Sequence, residues 1–322
     1  MAGRIKTGVT SWTDASLLAS GWYPKSAHTP EDRLRWYATQ FSIVENDSTY
    51  YAVPDATKSQ LWADRTPEGF TMNVKAFALL TGHYTDPRRL PADLREGLPR
   101  ALREKVHVYP KDLDSSVLAE LAWRFREGIE PLRAAGRLGV VLFQYPVWFP
   151  CSVENRQRIV ATRAIMPDVR IAIELRNATW MNERNRESTL ALLRDAQLVY
   201  TCVDEPQGFP SSVPPIAAAT TDLAVVRFHG RSASRWSRSM PSASERFRYR
   251  YSESELREWV PKLRQLSDQA EVVHVLMNNC YSDYAVTNAR ELATLLATDR
   301  GASTAPGAGG RRLARELTSH LG

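Results

Sequence analysis

Leu223-Ala224-Val225-Val226-Arg227-Phe228-His229-Gly230-Arg231 is the stretch that decides the fold. A short run of Leu and Val suited to a buried strand passes without a break into Arg227, His229 and Arg231 around a glycine. In a parallel α/β protein the strand is covered by helices, and its carboxyl end is the part that opens to a ligand. Working outward, the same pattern recurs. Strand-like runs cover residues 5–9, 42–45, 70–75, 138–144, 169–175, 198–203, 223–229 and 271–277. Between them lie helical patterns: a capped start at Thr29-Pro30-Glu31-Asp32 with Leu34, Tyr37, Ala38 and Phe41 on one face, then 57–63, 115–134, 153–164, 187–196, 252–266 and 285–297. Eight strands, most of them separated by helices, favour a (β/α)8 TIM-type barrel over an open doubly wound sheet. The first strand is followed by no GxGxxG, and no P-loop is present.

The expected organisation is a single barrel domain over 4–298, with an irregular charged insertion near 87–114 and a flexible tail over 299–322. The tail reading rests on the Gly/Ala/Ser-rich stretch 301–310. No apolar run reaches the roughly 20 residues a membrane helix needs, so no membrane partner is expected. The chain opens almost directly into a strand, which leaves no room for a secretory signal. Three cysteines without CxxC spacing argue against a zinc ribbon or disulfide framework, and a cytoplasmic location is the expectation. The formal charge is +6; the tail's three arginines against one glutamate account for +2 of it, leaving +4 for the body. That suits an anionic ligand but lacks the dense basic footprint of a dedicated DNA binder.

Each strand end carries polar side chains, and a barrel brings them to one mouth. The acid–base candidates are Glu45, Asp47, Lys75, Glu174, Asp204 and His229. The ligand-binding candidates are Trp12, Tyr51, Gln144, Arg176, Arg227, Arg231, Asn278 and Asn279. Surface polar residues are common, so any one of these alone reads as a solvated loop residue; polar groups at all eight strand ends read as a site.

The motif Phe41-Ser42-Ile43-Val44-Glu45-Asn46-Asp47-Ser48-Thr49-Tyr50-Tyr51, with Gly8-Val9-Thr10-Ser11-Trp12 before it, resembles the domain of unknown function 72 family, also called YecE-like. The resemblance runs in order through Val74-Lys75-Ala76, Leu142-Phe143-Gln144-Tyr145-Pro146, Glu174-Leu175-Arg176 with Trp180, Val203-Asp204, Arg227-Phe228-His229-Gly230-Arg231, Arg248-Tyr249-Arg250-Tyr251 and Asn278-Asn279. It departs where Ser11-Trp12 lacks an intervening glycine, where Tyr145 replaces a common Leu and where Met277 replaces a common aromatic. The resemblance implies a TIM-like barrel with a mouth, and no particular reaction.

Several chemistries fit these residues. Glu45 or Glu174 as base with Asp204 as partner could do acid–base work if burial raised one pKa. Lys75 stands where Schiff-base lysines sit in barrel lyases; the plainer reading pairs it with Glu45 and pairs Glu174 with Arg176 in a structural ion ring. No cofactor is expected. The competing metal reading places a divalent ion on Glu45, Glu174, Asp204 and His229, as in a metal-dependent hydrolase or isomerase; Arg176 and Arg227 would repel it. Arg176, Arg227, His229, Arg231 and the loop containing Arg235, Arg238, Arg246, Arg248 and Arg250 point to a small anionic partner, phosphorylated or nucleotide-like. The aromatics Trp12, Trp22, Tyr50, Tyr51, Tyr145, Trp148, Trp180 and Tyr249 offer stacking faces for a base or sugar. The sequence therefore favours an enzyme on an anionic substrate, with non-catalytic nucleic-acid binding as the alternative, and leaves the oligomeric state open.

Overall fold

The computed structural model describes residues 2–236 and 243–303. Eight parallel strands close into a barrel in chain order: β1 (Arg4–Val9), β2 (Ile43–Asn46), β3 (Thr71–Lys75), β4 (Leu138–Gln144), β5 (Ile171–Glu174), β6 (Val199–Asp204), β7 (Leu223–Phe228) and β8 (Val272–Met277). Every strand begins within two residues of its expected position. Closure rests on β1 lying in continuous register along β8, from Arg4↔Val272 to Val9↔Met277. At the other seam β1 meets β2 only at Val9↔Val44.

Outside the barrel lie α1 (Pro30–Gln40), α2 (Ala56–Asp64), α3 (Ser115–Ala134), α4 (Val153–Ile165), α5 (Arg186–Asp195), α6 (Val260–Gln269) and α7 (Tyr284–Ser303). Thr29 opens α1 with a capping box: its side chain accepts from the Asp32 amide while the Asp32 carboxylate accepts from the Thr29 amide. The helix expected over 252–266 divides into Glu253–Arg257 and α6, because Pro261 has no N–H to continue the first ladder and instead starts the second. Residues 205–222, between β6 and β7, form no helix; their prolines forbid one. The insertion, expected to be irregular, holds short α-helices at Ala92–Gly97 and Arg100–Arg103 and 3-10 turns at Pro87–Arg89 and Pro110–Asp112, tied by an antiparallel bridge between Thr85 and Val108. The last helix passes Gly301, where the linker was expected to begin; residues 304–322 lie outside the described residues. Among the described residues no helix is long and apolar enough to cross a membrane.

Strand alternation sorts side chains between two cores. In β7, Ala224, Val226 and Phe228 face the helices and join the large outer core. Leu223 and Val225 face inward, where they meet Val140, Leu142, Ala172 and Val199 in a small separate cluster that plugs the barrel. Each such fully buried Val or Leu contributes about 1.5–3 kcal/mol. The next inward position on β7 is Arg227, so the plug ends and the chemistry begins one residue pair higher. The same period puts Glu45, Lys75, Gln144 and Glu174 at the inner tops of β2 to β5, with Thr10 and Asn278 just past β1 and β8.

Candidate active site

Arg227, only 1% exposed, is the hub. Its Nη1 donates to Glu174 Oε2 at 2.5 Å and its Nη2 to Glu45 Oε1 at 2.6 Å. Gln144 Nε2 donates to Glu174 Oε1 at 2.6 Å, and His229 Nε2 lies 3.0 Å from the same oxygen. On its other side His229 Nδ1 is 2.7 Å from Asn278 Nδ2, while Asn278 Oδ1 accepts from the Thr10 hydroxyl at 2.7 Å. An amide nitrogen can only donate, so this network assigns His229 the neutral tautomer with its proton on Nε2, aimed at Glu174. Burial, which outweighs the pull of Glu174, brings the imidazole down to about 4.

The two carboxylates that share Arg227 are driven apart. Burial works to raise Glu174, but Arg227, His229 and Arg176 overcome it and hold that carboxyl well below the usual range. Burial raises Glu45; Arg227 offsets this only in part, and the charges of Asp47 and Glu174 add to it. Glu45 Oε2 is buried and accepts no hydrogen bond from the described residues. One guanidinium charge serves two carboxylates here, and Glu174, with four partners, takes the larger share. Opposed shifts in neighbouring carboxyls are the electrostatic pattern of an acid and a base.

A cavity of about 740 Å³ opens above this cluster. Gln144 and Arg176 line it and touch Glu174, and Asn278 lines it and touches His229, so those two groups lie one contact beneath the cavity, with Arg227 and Glu45 a layer deeper. Asp47, Lys75 and Tyr51 line it as well. Lys75 Nζ stands 4.7 Å above the Tyr50 ring. Its expected pairing with Glu45 does not form: Arg227 bonds Glu45 Oε1 and Lys75 turns to Tyr50 instead; the other half of the expected ion ring, Glu174 with Arg176, is present at 3.5 Å. Lys75 is thus held by an aromatic face rather than by a carboxylate partner.

Two further titratable groups, one beside the cluster and one lining the cavity, were not singled out by the sequence reading. Glu205, at the edge of the site, lies 3.6 Å from Arg176 and is pushed up to about 7 by burial, with Arg176 pulling the other way. His83 lines the cavity. The Thr81 hydroxyl donates to the Ala78 carbonyl at 2.9 Å, so the 2.8 Å contact from His83 Nδ1 to that hydroxyl places the imidazole proton on Nδ1 and leaves Nε2 as an acceptor. Burial first, then the charges of Lys75 and Arg176, brings His83 down to about 4. Strand periodicity would have found Glu205: Val199, Thr201 and Val203 share the inner face of β6, so Glu205 follows them inward and Asp204 turns out.

Asp204 accordingly stands in the scaffold. Arg231 Nε donates to its Oδ1 at 2.9 Å and Nη2 to its Oδ2 at 2.8 Å; Tyr251 adds a bond to Oδ1 at 2.6 Å and Trp259 one to Oδ2 at 2.7 Å. Gly230, at φ +86°, turns Arg231 toward this outer cluster, and a Cβ there would lie 2.7 Å from Tyr249 Cβ. Asn279 is buried and bonds the Tyr249 carbonyl and Asn288; Trp12 is core, its carbonyl accepting from the Tyr23 hydroxyl. The suggested metal set of Glu45, Glu174, Asp204 and His229 is thus divided between two faces of the sheet, with Arg227 between its glutamates. Among the described residues no group of three or more His, Cys, Asp or Glu is placed to hold a metal ion. In the arginine loop, Arg235 and Arg248 pair with Glu245 and Arg250 with Glu291, Arg246 lines the cavity, and Arg238 lies outside the described residues.

A family model described as "Protein of unknown function DUF72" matches residues 6–309. The UPF0759 protein YunF of Bacillus subtilis (strain 168) is 31% identical over 298 residues, covering 91% of this chain and 94% of that protein. A crystal structure of a DUF72 family protein from Enterococcus faecalis V583 matches with a TM-score of 0.73 at 25% identity, covering 91% of this chain and 95% of that one. One from Thermotoga maritima MSB8 matches at 0.71 and 26% identity, covering 91% and 99%.

Proposed function

The chain belongs to the DUF72 family, and from that premise we propose that its barrel mouth is an active site for acid–base chemistry on a small anionic substrate. The observation that carries this reading is the guanidinium shared by two buried carboxylates of opposed proton affinity beneath a cation-lined cavity, Glu174 one hydrogen bond from it through Gln144 and Glu45 behind Arg227 and next to Asp47. Lys75, Arg176 and Arg246 receive the anion; a guanidinium fork matches phosphate or carboxylate geometry. Asp47 and Asp14 are the carboxylates that line the cavity, and Glu45 lies close enough to Asp47 that its charge raises the Glu45 proton affinity. Glu45 is the proton donor of the pair. Glu174 stays ionised and fixes Arg227, His229 and Gln144 in place. A positioned acid or base of this kind contributes about 10²–10⁴-fold to rate.

The test is a thermal-shift screen against sugar phosphates, nucleotides, divalent metals and short oligonucleotides, followed by product analysis of whatever binds. A ligand at a hundred times its dissociation constant adds about 2.7 kcal/mol, which such a screen resolves. A small anion should stabilise the wild type and Glu45→Gln but not Arg176→Ala, and Glu45→Gln should bind without turnover. Binding of oligonucleotides alone, growing with length and lost with salt, would replace this reading with non-catalytic nucleic-acid binding.

A further inference from the structure

The cavity has two unlike walls, and the proposal above uses only the cationic one. Nine large apolar side chains are more than a third exposed among the described residues, and four of them line this cavity: Tyr51 at 50%, Tyr84 at 41%, Val147 at 44% and Trp148 at 55%. Single exposed apolar residues are ordinary; several gathered in one concavity mark a binding surface. These rings are also held in place. Tyr50 meets Tyr51 edge-on with centroids 5.1 Å apart, His83 meets Tyr50 at 5.4 Å and 80°, and His83 meets Trp148 at 5.7 Å and 69°. Lys75 stands over Tyr50 and Arg89 over Tyr51, at 4.7 and 5.8 Å. Tyr84 is packed against His107 at 4.1 Å and Tyr109 at 5.5 Å, and no cation stands over Trp148 among the described residues, which leaves the indole, the most exposed ring of the wall, as its open platform.

His83 joins the two walls. Its ring sits between Tyr50 and Trp148, it feels the charges of Lys75 and Arg176, and its Nε2 presents a lone pair. A group with N–H donors stacked on Trp148 could give one to it. The cavity volume of about 740 Å³ falls in the usual range of roughly 300–1,000 Å³ for small-molecule sites.

We propose that the ligand of this site joins its anionic group to a flat heteroaromatic ring, as a nucleoside 5′-monophosphate does, with the ring on Trp148 and the anion on Lys75 and Arg176. This rests on the anion-site reading above and goes further by fixing what the anion is attached to. A sugar phosphate shares the anion but offers no aromatic face, and a free nucleoside offers the ring without the anion.

The experiment is titration calorimetry at one fixed ionic strength with AMP, GMP, CMP and UMP, ribose 5-phosphate, adenosine and inorganic phosphate, on wild type, Trp148→Ala and Arg176→Ala. Ring stacking should make the best nucleotide bind on the order of tenfold or more tighter than ribose 5-phosphate. Trp148→Ala should close that gap to within about twofold while ribose 5-phosphate affinity stays put, since stacking is the interaction removed. Arg176→Ala should weaken both. Equal binding of nucleotide and sugar phosphate, untouched by Trp148→Ala, would overturn the ring assignment and leave the anion site standing. Absence of binding by every phosphate, inorganic phosphate included, would overturn both. Trp148 is more than half exposed, so its replacement leaves the core intact and a loss of binding reports on the site.

Discussion

Two arginine–carboxylate clusters grow from neighbouring strands and mean different things. Val203 and Arg227 are ladder partners on β6 and β7, and so are Asp204 and Phe228 one step higher. Because successive side chains alternate faces, Arg227 enters the barrel to meet Glu45 and Glu174, while Asp204 leaves it to meet Arg231, Tyr251 and Trp259. Both Asp204 oxygens accept from two donors each, so its charge is fully answered and has nothing left to exchange. In the inner cluster one guanidinium answers two carboxylates, and Glu45 Oε2 has no partner among the described residues. Saturation marks a strut. Shortage of donors marks a group whose proton can move.

The largest effect that could break this contrast is Arg227→Ala. Removing one member of a buried ion pair leaves uncompensated charge and costs about 3–5 kcal/mol. Here the ionised Glu174 loses its main cation and Glu45 its only hydrogen-bond partner among the described residues, so chemical denaturation should show a loss within that range, shrinking as pH is lowered and Glu174 protonates. A change of less than about 1 kcal/mol would mean that Arg227 is not the hub. Glu45→Gln comes next, with the opposite profile. Turnover should fall by about 10²–10⁴-fold, while stability at neutral pH stays within about 1 kcal/mol of wild type, since an amide keeps the acceptor for Arg227 and is uncharged like the protonated carboxyl it replaces. The sign with pH is fixed by the raised proton affinity: the folded state holds a proton that the unfolded chain releases, so wild type loses stability as pH rises above the ordinary glutamate range. Glu45→Gln should therefore gain on wild type as pH increases, and a gap that stays constant would refute the assignment.

Asp204→Asn tests the outer strut. The amide would turn donor hydrogens toward Trp259 Nε1 or Arg231, and each buried unmatched group costs about 1–3 kcal/mol. Arg231 keeps Glu258, at 2.9 Å, as a second partner, which favours the lower half of that range. Melting temperature should drop while binding at the mouth is retained; loss of binding at unchanged stability would move Asp204 into the site.

The fold was legible because a barrel strand is a local pattern. Runs such as Leu138–Gln144 and Leu223–Phe228 are apolar, short and bounded, and nothing distant is needed to recognise them. The missing helix between β6 and β7 was equally local, written in the prolines of residues 206–215. The strand ends put Asp47, Lys75, Gln144, Arg176 and Asn278 at the cavity but also Trp12, Asp204, Arg231 and Asn279, which the structure turns into the scaffold, and they did not say which residues touch. Arg227 meets Glu45 across 182 residues of chain, and sequence order brings Lys75 far nearer to that glutamate than Arg227. His83 was invisible for another reason: it arrives from the loop after β3, where no period places it.

The smallest effect, and the one that isolates the imidazole of the inner cluster, is the acid limb of stability. His229 is held neutral, its proton affinity brought down from the ordinary 6.5 to about 4 chiefly by burial. Between those values the unfolded chain binds a proton that the folded protein does not, so this stabilisation is complete above pH 6.5 and drains away as pH falls toward 4. One such group sets a slope of at most about 1.4 kcal/mol per pH unit. The loss from Glu174 begins in the ordinary carboxyl range, where the unfolded chain takes up its proton, and continues below it, while Glu45 and Glu205, both raised, act with the opposite sign across the window; the histidine limb is therefore read as the difference between variant and wild type. His274, buried at the opposite end of the barrel interior, is brought down to about 3 by burial and by the charges of Lys6 and Arg170, and titrates with the same sign. His229→Gln and His274→Gln should each flatten the limb between pH 6.5 and 4, measured by denaturant unfolding. Only His229→Gln should also weaken ligand binding, because it alone loosens Glu174 and Asn278. If both variants bind alike, the neutral histidine of the inner cluster is there for the fold, and the contrast between strut and proton store must rest on the carboxylates alone.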